Sequence, residues 1–217
     1  MTEPSYLTAT RTAYDTVAVD YARLLRTQLD EQPLDRAMLA TFAELVRAAA
    51  VGPVADLGCG PGRVTAHLHG LGVPVFGVDL SPRMVSVARQ TYPELRFEEG
   101  RLAELDLADG SLGGVVAWYS IIHTPPERLP RVFAEFHRVL APGGQLLLAF
   151  HAGNETRHLD QGYGHPISLD SHRLPPGQVT GLLGQAGFVL RAQLLREPES
   201  YERTQQAYLL AHRPGRP

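Results

Sequence analysis

The chain has 217 residues, a formal net charge of −3 and 44% hydrophobic residues, enough for one well-buried domain and short for two. All 20 basic residues are arginine, which excludes Schiff-base, pyridoxal-phosphate and P-loop lysine chemistry, and no basic run suggests a nucleic-acid partner. Cys59 alone can form no internal disulfide, the opening Met1-Thr2-Glu3-Pro4-Ser5 has no leader pattern, and no apolar run could span a bilayer, so a cytoplasmic protein with no membrane partner is expected.

Residues 12–29 place Val17, Tyr21, Leu24 and Leu25 at helical spacing, and Pro33 opens a second helix with Leu34, Met38, Phe42, Leu45 and Val46 on one face. An apolar run then ends in Asp56. Gly58, Gly60 and Gly62 follow at every second position, and an amphipathic stretch, Arg63 to His69, begins directly after. This reads as strand, tight turn, helix. Residues without Cβ reach φ values closed to others and let a ligand lie against the main chain, so a small-molecule site is implied. A dinucleotide fingerprint, G-x-G-x-x-G, would put Arg63 at its third glycine position; the spacing here is G-x-G-x-G.

With Asp56 two residues before the first glycine, this run resembles motif I of the class I S-adenosylmethionine methyltransferases. The resemblance implies S-adenosylmethionine as cofactor, S-adenosylhomocysteine as product, and loop contacts from Asp56, Gly58, Cys59, Gly60 and Gly62. A carboxylate beside the loop suits the ammonium and sulfonium of the methionine end. Packing or backbone contact accounts for Cys59 better than thiol chemistry. The resemblance also implies that the opening helices form a lid, since Tyr14-Asp15 and Tyr21-Ala22 resemble its Tyr-Asp…Tyr-Ala pattern. Seven residues apart on one helical face, Tyr14 and Tyr21 equally fit a core role.

Val73 to Val78 reads as a buried strand ending in Asp79, whose carboxylate can accept both ribose hydroxyls of an adenosine. Ser81 is the N-cap and Pro82 the first residue of the next helix, with Met84, Val85 and Ala88 inward; the resemblance extends cofactor contacts to Leu80 and Met84. A short third strand, Leu95 to Gly100, is followed by Arg101 where the family usually has an aspartate facing the adenine amino group. Adenine is then held by the backbone at Arg101 and Leu102, or by Glu104, and the resemblance adds Gly100 to the cofactor contacts. A second departure is Gly110-Ser111-Leu112-Gly113, where the family carries an acidic residue before the fourth strand.

Val115 to His123 reads as the fourth strand, running into the site, and Thr124-Pro125-Pro126-Glu127 as a capping box for a helix carrying Leu129, Val132, Phe133, Phe136, Val139 and Leu140 inward. Ala141-Pro142-Gly143-Gly144 is a type II turn signal before strand five, Gln145 to Phe150. Trp118 and Tyr119 either flank the cofactor or pack in the core. His151 to Leu174 is polar and without period, an insertion beyond strand five placed to face a substrate. His151, His158, His165 and His172 recur every seven residues, but the glycines between them and the absence of tighter pairs argue against a metal site. A last helix, Pro176 to Ala186, precedes strands Phe188 to Leu195 and Gln206 to Ala211.

The expectation is one α/β domain over 1–217, a doubly wound, mostly parallel, seven-stranded sheet. It divides into a helical lid (1–50), a cofactor-binding core (51–152), a substrate-facing insertion (153–174) and a C-terminal helix and strands (175–217). By resemblance it transfers a methyl group to an O, N or C nucleophile of a small molecule. His123 and His151, expected to end adjacent strands, are the candidate bases, or else substrate donors or satisfied buried histidines. The alternatives are an NAD-dependent oxidoreductase, which would share Asp79 but lacks a Ser/Tyr/Lys constellation, and an S-adenosylmethionine-binding protein without methyl transfer. Oligomeric state is not readable from the sequence.

Overall fold

The computed structural model describes residues 3–215; Met1 and Thr2, which begin the stretch read for a leader, lie outside the described residues with Arg216 and Pro217. Helix α1 (Ser5–Leu24) starts seven residues earlier than the periodicity suggested and stops at Leu25. The Leu25 carbonyl, which a continuing helix would offer to Leu29, accepts instead from Arg63 at 3.3 Å and from the Gln28 N–H at 3.2 Å. A single short turn, α2 (Gln28–Glu31), leads into α3 (Pro33–Ala49), and Leu24, expected inside, is exposed.

The core alternates as expected: β1 (Val54–Leu57), α4 (Arg63–Gly70), β2 (Val75–Asp79), α5 (Pro82–Thr91), β3 (Phe97–Glu99), β4 (Leu112–Trp118), α6 (Leu129–Val139) and β5 (Leu140–His151). After an inserted hairpin, β6 (Glu155–Gly162) and β7 (His165–Arg173), come α7 (Pro176–Gln185), β8 (Val189–Arg196) and β9 (Gln206–His212). The main sheet has seven strands in the order β3-β2-β1-β4-β5-β9-β8. Only β9 runs against its neighbours. The doubly wound, mostly parallel sheet is therefore as expected.

Central strands are buried on both faces. Along β4, Val115 and Ala117 meet Phe133 and Phe136 of α6, whereas Val116 and Trp118 meet the side that carries Phe42 and Val46 of α3. Each fully buried side chain of this size contributes roughly 1.5–3 kcal/mol, which is why a continuous apolar run is tolerated there. The fourth strand ends sooner than expected. Tyr119 leaves it with φ +56, and Ile121–His123 form a 3-10 turn, so His123 does not end a strand.

Two further expectations are corrected and one is placed inside a strand. Thr124 to Glu127 form no capping box: a 3-10 turn, Pro126–Arg128, intervenes and α6 starts without a side-chain cap. The turn at Ala141 to Gly144 lies inside β5, where the pairing with β4 skips from Leu140 to Gln145, and Gly143 has the positive φ (+87) that a type II turn requires. The polar insertion is not a loop. It is an antiparallel hairpin closed by Tyr163 (φ +53) and Gly164 (φ +86), the type I′ geometry that matches strand twist. β7 packs on α1, Ile167 joining Val17, Ala18 and Met84, so the N-terminal helix is held between the sheet end and the hairpin.

The missing acidic residue also has a cause. A Cβ at Gly113 would lie 2.3 Å from the Gly52 carbonyl oxygen, so only glycine lets the chain cross there.

Candidate functional site

Strand order reverses between β1 and β4, and a crevice opens outside their carboxyl ends, where open α/β sheets bind ligands. It is a cavity of about 790 Å³. Gly58 and Gly60 form its floor at the end of β1. Gly58 has φ +77, and a Cβ there would sit 2.2 Å from that of Ser120, which closes the β4 side by donating to the Leu57 carbonyl at 2.6 Å. A Cβ at Gly60 would meet only Tyr21, at 3.9 Å. The main chain is thus open to a ligand at Gly60.

The glycine loop divides its residues. Cys59 and Gly62 do not reach the cavity: the Cys59 thiol packs against Gly77 and Phe97, and Gly62 starts α4 with φ +86 against Phe97 and Tyr92. Burial pushes the Cys59 thiol well up, in keeping with a packing role. Asp56 is corrected in the same sense. It is fully buried behind the loop, its Oδ2 accepting from the Thr65 hydroxyl at 2.7 Å and its Oδ1 without a partner among the described residues. Burial pushes its carboxyl up to about 7. Met84 is also fully buried, turned toward Val17 and Ala18 by the first turn of α5.

Asp79 stands on the cavity wall at the end of β2. Its Oδ2 accepts from the Gly60 N–H at 2.7 Å and its Oδ1 from the Ser81 N–H at 2.8 Å. Those bonds orient the carboxylate and leave each oxygen a second lone pair; burial pushes the group up to about 6. Leu80, Gly100, Arg101, Leu102 and Glu104 continue the wall. Ser81 caps α5 as expected, its Oγ accepting from the Met84 N–H at 3.0 Å, and itself donates to Asp15 at 2.5 Å. The Asp15 carboxylate thereby ties α1 to the N-terminus of α5, where a negative charge is favoured.

Helix α1 closes the cavity from above. Tyr14 and Tyr21 both line it, so their shared face looks onto a ligand space as well as onto the Met84 cluster. The Tyr14 hydroxyl lies 2.8 Å from His123 Nε2, and His123 Nδ1 lies 2.8 Å from the Asp170 backbone carbonyl of β7. A carbonyl oxygen only accepts, so Nδ1 carries the hydrogen and Nε2 receives the Tyr14 O–H. Burial lowers the imidazole to about 4 and keeps it neutral. His123 is on the wall, and its ring nitrogens are both engaged.

His151 does not join it. Its ring lies against that of Tyr119, centroids 5.0 Å apart, Nδ1 is 2.9 Å from Gln206 Oε1, and it is not among the cavity residues. His158, His165 and His172 go to Asp170, Asp20 and Thr156 respectively, so the seven-residue recurrence brings no four together. Trp118 and Tyr119 do line the cavity, Trp118 packing also on Tyr208.

Other wall residues escaped the sequence reading. Glu3 accepts from Arg11 at 2.6 and 2.7 Å and pairs with Arg101 at 2.8 Å, and Arg11 donates to the Leu80 carbonyl at 3.4 Å. Tyr6, Thr10, Thr124, Arg128 and Arg131 complete the far end. The signal for the first of these was the continuation of the helix back to Ser5. No local pattern marks the others.

Residues 54–144 match the methyltransferase domain family model. Demethylmenaquinone methyltransferase of Chlorobaculum parvum is 38% identical over 92 residues, 42% of this chain and 37% of that protein. Malonyl-[acyl-carrier protein] O-methyltransferase of Pectobacterium atrosepticum is 30% identical over 51% of this chain and 43% of its own. The chain thus spans about two fifths of the length of these curated relatives. Among solved structures, magnesium protoporphyrin IX methyltransferase of Synechocystis PCC 6803, with bound S-adenosylmethionine, superposes with TM-score 0.72 over 98% of this chain and 99% of that one at 20% identity. The 1,6-didemethyltoxoflavin-N1-methyltransferase of Burkholderia thailandensis, with S-adenosylhomocysteine, gives 0.71 over 99% and 92% at 20% identity. At such identity these structures speak for the fold.

Proposed function

We propose that this chain, whose residues 54–144 match the methyltransferase domain family model, is a class I S-adenosylmethionine-dependent enzyme that moves a methyl group from S-adenosylmethionine to a nucleophile of a small molecule. The observation that carries the reading is Asp79, a half-buried carboxylate oriented by two backbone N–H groups on the cavity wall beside an open glycine main chain. The residues fit the cofactor. Asp79 would take the ribose hydroxyls, the backbone at Gly58 and Gly60 the methionine end, and Gly100, Arg101 and Leu102 the adenine. With the Arg101 side chain drawn to Glu3, the backbone rather than the guanidinium is the adenine-facing group there.

When bound, S-adenosylmethionine supplies a methyl carbon on a sulfonium, open to in-line displacement. Orientation then does most of the work, and well-aligned reactants gain roughly 7–11 kcal/mol. Tyr14 and His123 supply part of it. The His123 lone pair fixes the Tyr14 hydroxyl, whose remaining lone pairs can receive the hydrogen of an acceptor O–H or N–H. A buried imidazole held near 4 resists taking a full proton, so His123 acts as a positioning residue for Tyr14 rather than as a free base. The aromatic rings of Tyr14, Tyr21, Trp118 and Tyr119 around the cavity suit a cationic sulfonium.

Insertion 153–174 supplies none of the residues that line the cavity and touches the site through the Asp170 carbonyl that holds His123, so the expected substrate-facing role is not kept in this reading, which includes a small-molecule partner without nucleic acid and a cytoplasmic location. It is supported by the acidic balance. Among the described residues no helix is long and apolar enough to cross a membrane. Fractionation of cells expressing the protein checks the location.

Thermal unfolding with S-adenosylmethionine, S-adenosylhomocysteine and NAD tests the reading. The two sulfur ligands at a hundred times their dissociation constants should each add roughly 2.7 kcal/mol, and Asp79→Ala should abolish the effect. Stabilisation by NAD alone would overturn the proposal.

A further inference from the structure

Arg128 and Arg131 line the cavity beyond Tyr14 and His123. Arg128 occupies the N-cap position of α6 and Arg131 lies in its first turn, and residues three apart share a helical face. Arg11 and Arg101, on the same wall, are bound to Glu3. Among the described residues neither the Arg128 nor the Arg131 guanidinium makes a hydrogen bond or ion pair: Glu127, exposed on the same wall, is paired with neither, and Glu135, one turn beyond Arg131, is bound by Arg138. The Arg128 guanidinium lies over the Tyr6 ring, 5.5 Å from its centroid, a contact that engages its face and leaves its N–H edge open. A guanidinium is a fork of donors with no acceptor, always charged, and its best complement is a planar or tetrahedral oxyanion. Two of them on one helix face at the mouth of a ligand cavity make such a complement.

We propose that the methyl acceptor carries an anionic group, a carboxylate or a phosphate, which Arg128 and Arg131 bind at the cavity mouth and which sets the register of the nucleophile toward Tyr14. This rests on the methyl-transfer reading and narrows its substrate class. The arginines act as specificity residues, not in the transfer itself.

The test uses the full chain saturated with S-adenosylhomocysteine, titrated calorimetrically with matched sets of hydroxyaryl carboxylic acids, their methyl esters and the corresponding aryl phosphates. Acids or phosphates are expected to bind and the neutral esters to bind at least tenfold more weakly; which anion binds tighter separates the carboxylate from the phosphate class. The double variant Arg128→Ala, Arg131→Ala should lose roughly 10- to 100-fold in affinity for the anionic probe, the range for charged hydrogen bonds, with binding of S-adenosylhomocysteine and the unliganded melting temperature unchanged. Arg83→Ala, an exposed arginine outside the cavity, should change nothing. Esters that bind as tightly as acids, a double variant that keeps the acid, or a set in which no anionic probe binds would each overturn the inference. Failure of S-adenosylhomocysteine to bind the parent protein is a separate result, and strikes the methyl-transfer reading itself.

Discussion

At residue scale, the pair Tyr14 and His123 shows how a side chain acquires a role from a neighbour more than a hundred positions away. Tyr14 comes from the first helix and His123 from the 3-10 turn after β4, and the carbonyl of Asp170 on the hairpin decides which imidazole nitrogen holds the hydrogen. Because the two act through one hydrogen bond, their removal should not add. In urea unfolding, the cycle of Tyr14→Phe, His123→Asn and the double variant is expected to give a coupling of about 1 kcal/mol. Strict additivity would mean that the bond contributes nothing. The same comparison explains His151. It carries the same chemistry on the next strand, but the Tyr119 ring and Gln206 hold it off the wall.

At the scale of elements, the start of the N-terminal helix is fastened to the core by a separate latch. Glu3 joins Arg11 within the lid to Arg101 on the core, and the hydrogen bond from Arg11 lowers the Glu3 carboxyl to about 2. The sign follows: a depressed carboxyl contributes above its ordinary pKa, and the contribution is lost as pH falls through the folded value. The latch is therefore intact at neutral pH and opens only in strong acid. Glu3→Gln should release it at neutral pH, read as faster amide hydrogen exchange over residues 5–11 with exchange in β4 and β5 unchanged; equal protection in the variant would sink the idea.

For the whole molecule, the buried carboxylate Asp56 links stability to pH. Burial lifts it from 3.8 to about 7, so between those values the fold holds a proton that the unfolded chain has released. The contribution is complete below 3.8 and lost as pH rises through 7, a difference on the order of 4 kcal/mol. Asp56→Asn has no carboxyl to ionise. Relative to the parent protein, its unfolding free energy should rise by a few kcal/mol between pH 4.5 and 7.5; denaturant titrations at the two values give the answer, and parallel curves would refute it. His123 works in the opposite sense, since a lowered imidazole weakens the fold as pH falls from 6.5 toward 4, which is why the variant and the parent must be compared at both values.

The glycine spacing after Asp56, the apolar runs of β2, β4 and β5 and the Ser81-Pro82 helix start were legible without coordinates, because each is a local demand: positive φ, burial on both sheet faces, and an N–H that needs a cap. Those demands suffice for the fold class and for Asp79 at the ligand end of its strand. Side-chain direction is another matter. Whether Asp56, Cys59, Gly62 and Met84 face a ligand or the core turns on contacts with Phe97, Val17 and Thr65, residues that no sequence spacing brings together. The hairpin too was invisible, because its alternation answers to α1 lying beneath it and not to a core of its own. Only the tertiary structure placed Arg128 and Arg131 on the same cavity as Asp79, for a site wall is assembled from elements whose distance in sequence carries no record of their distance in space.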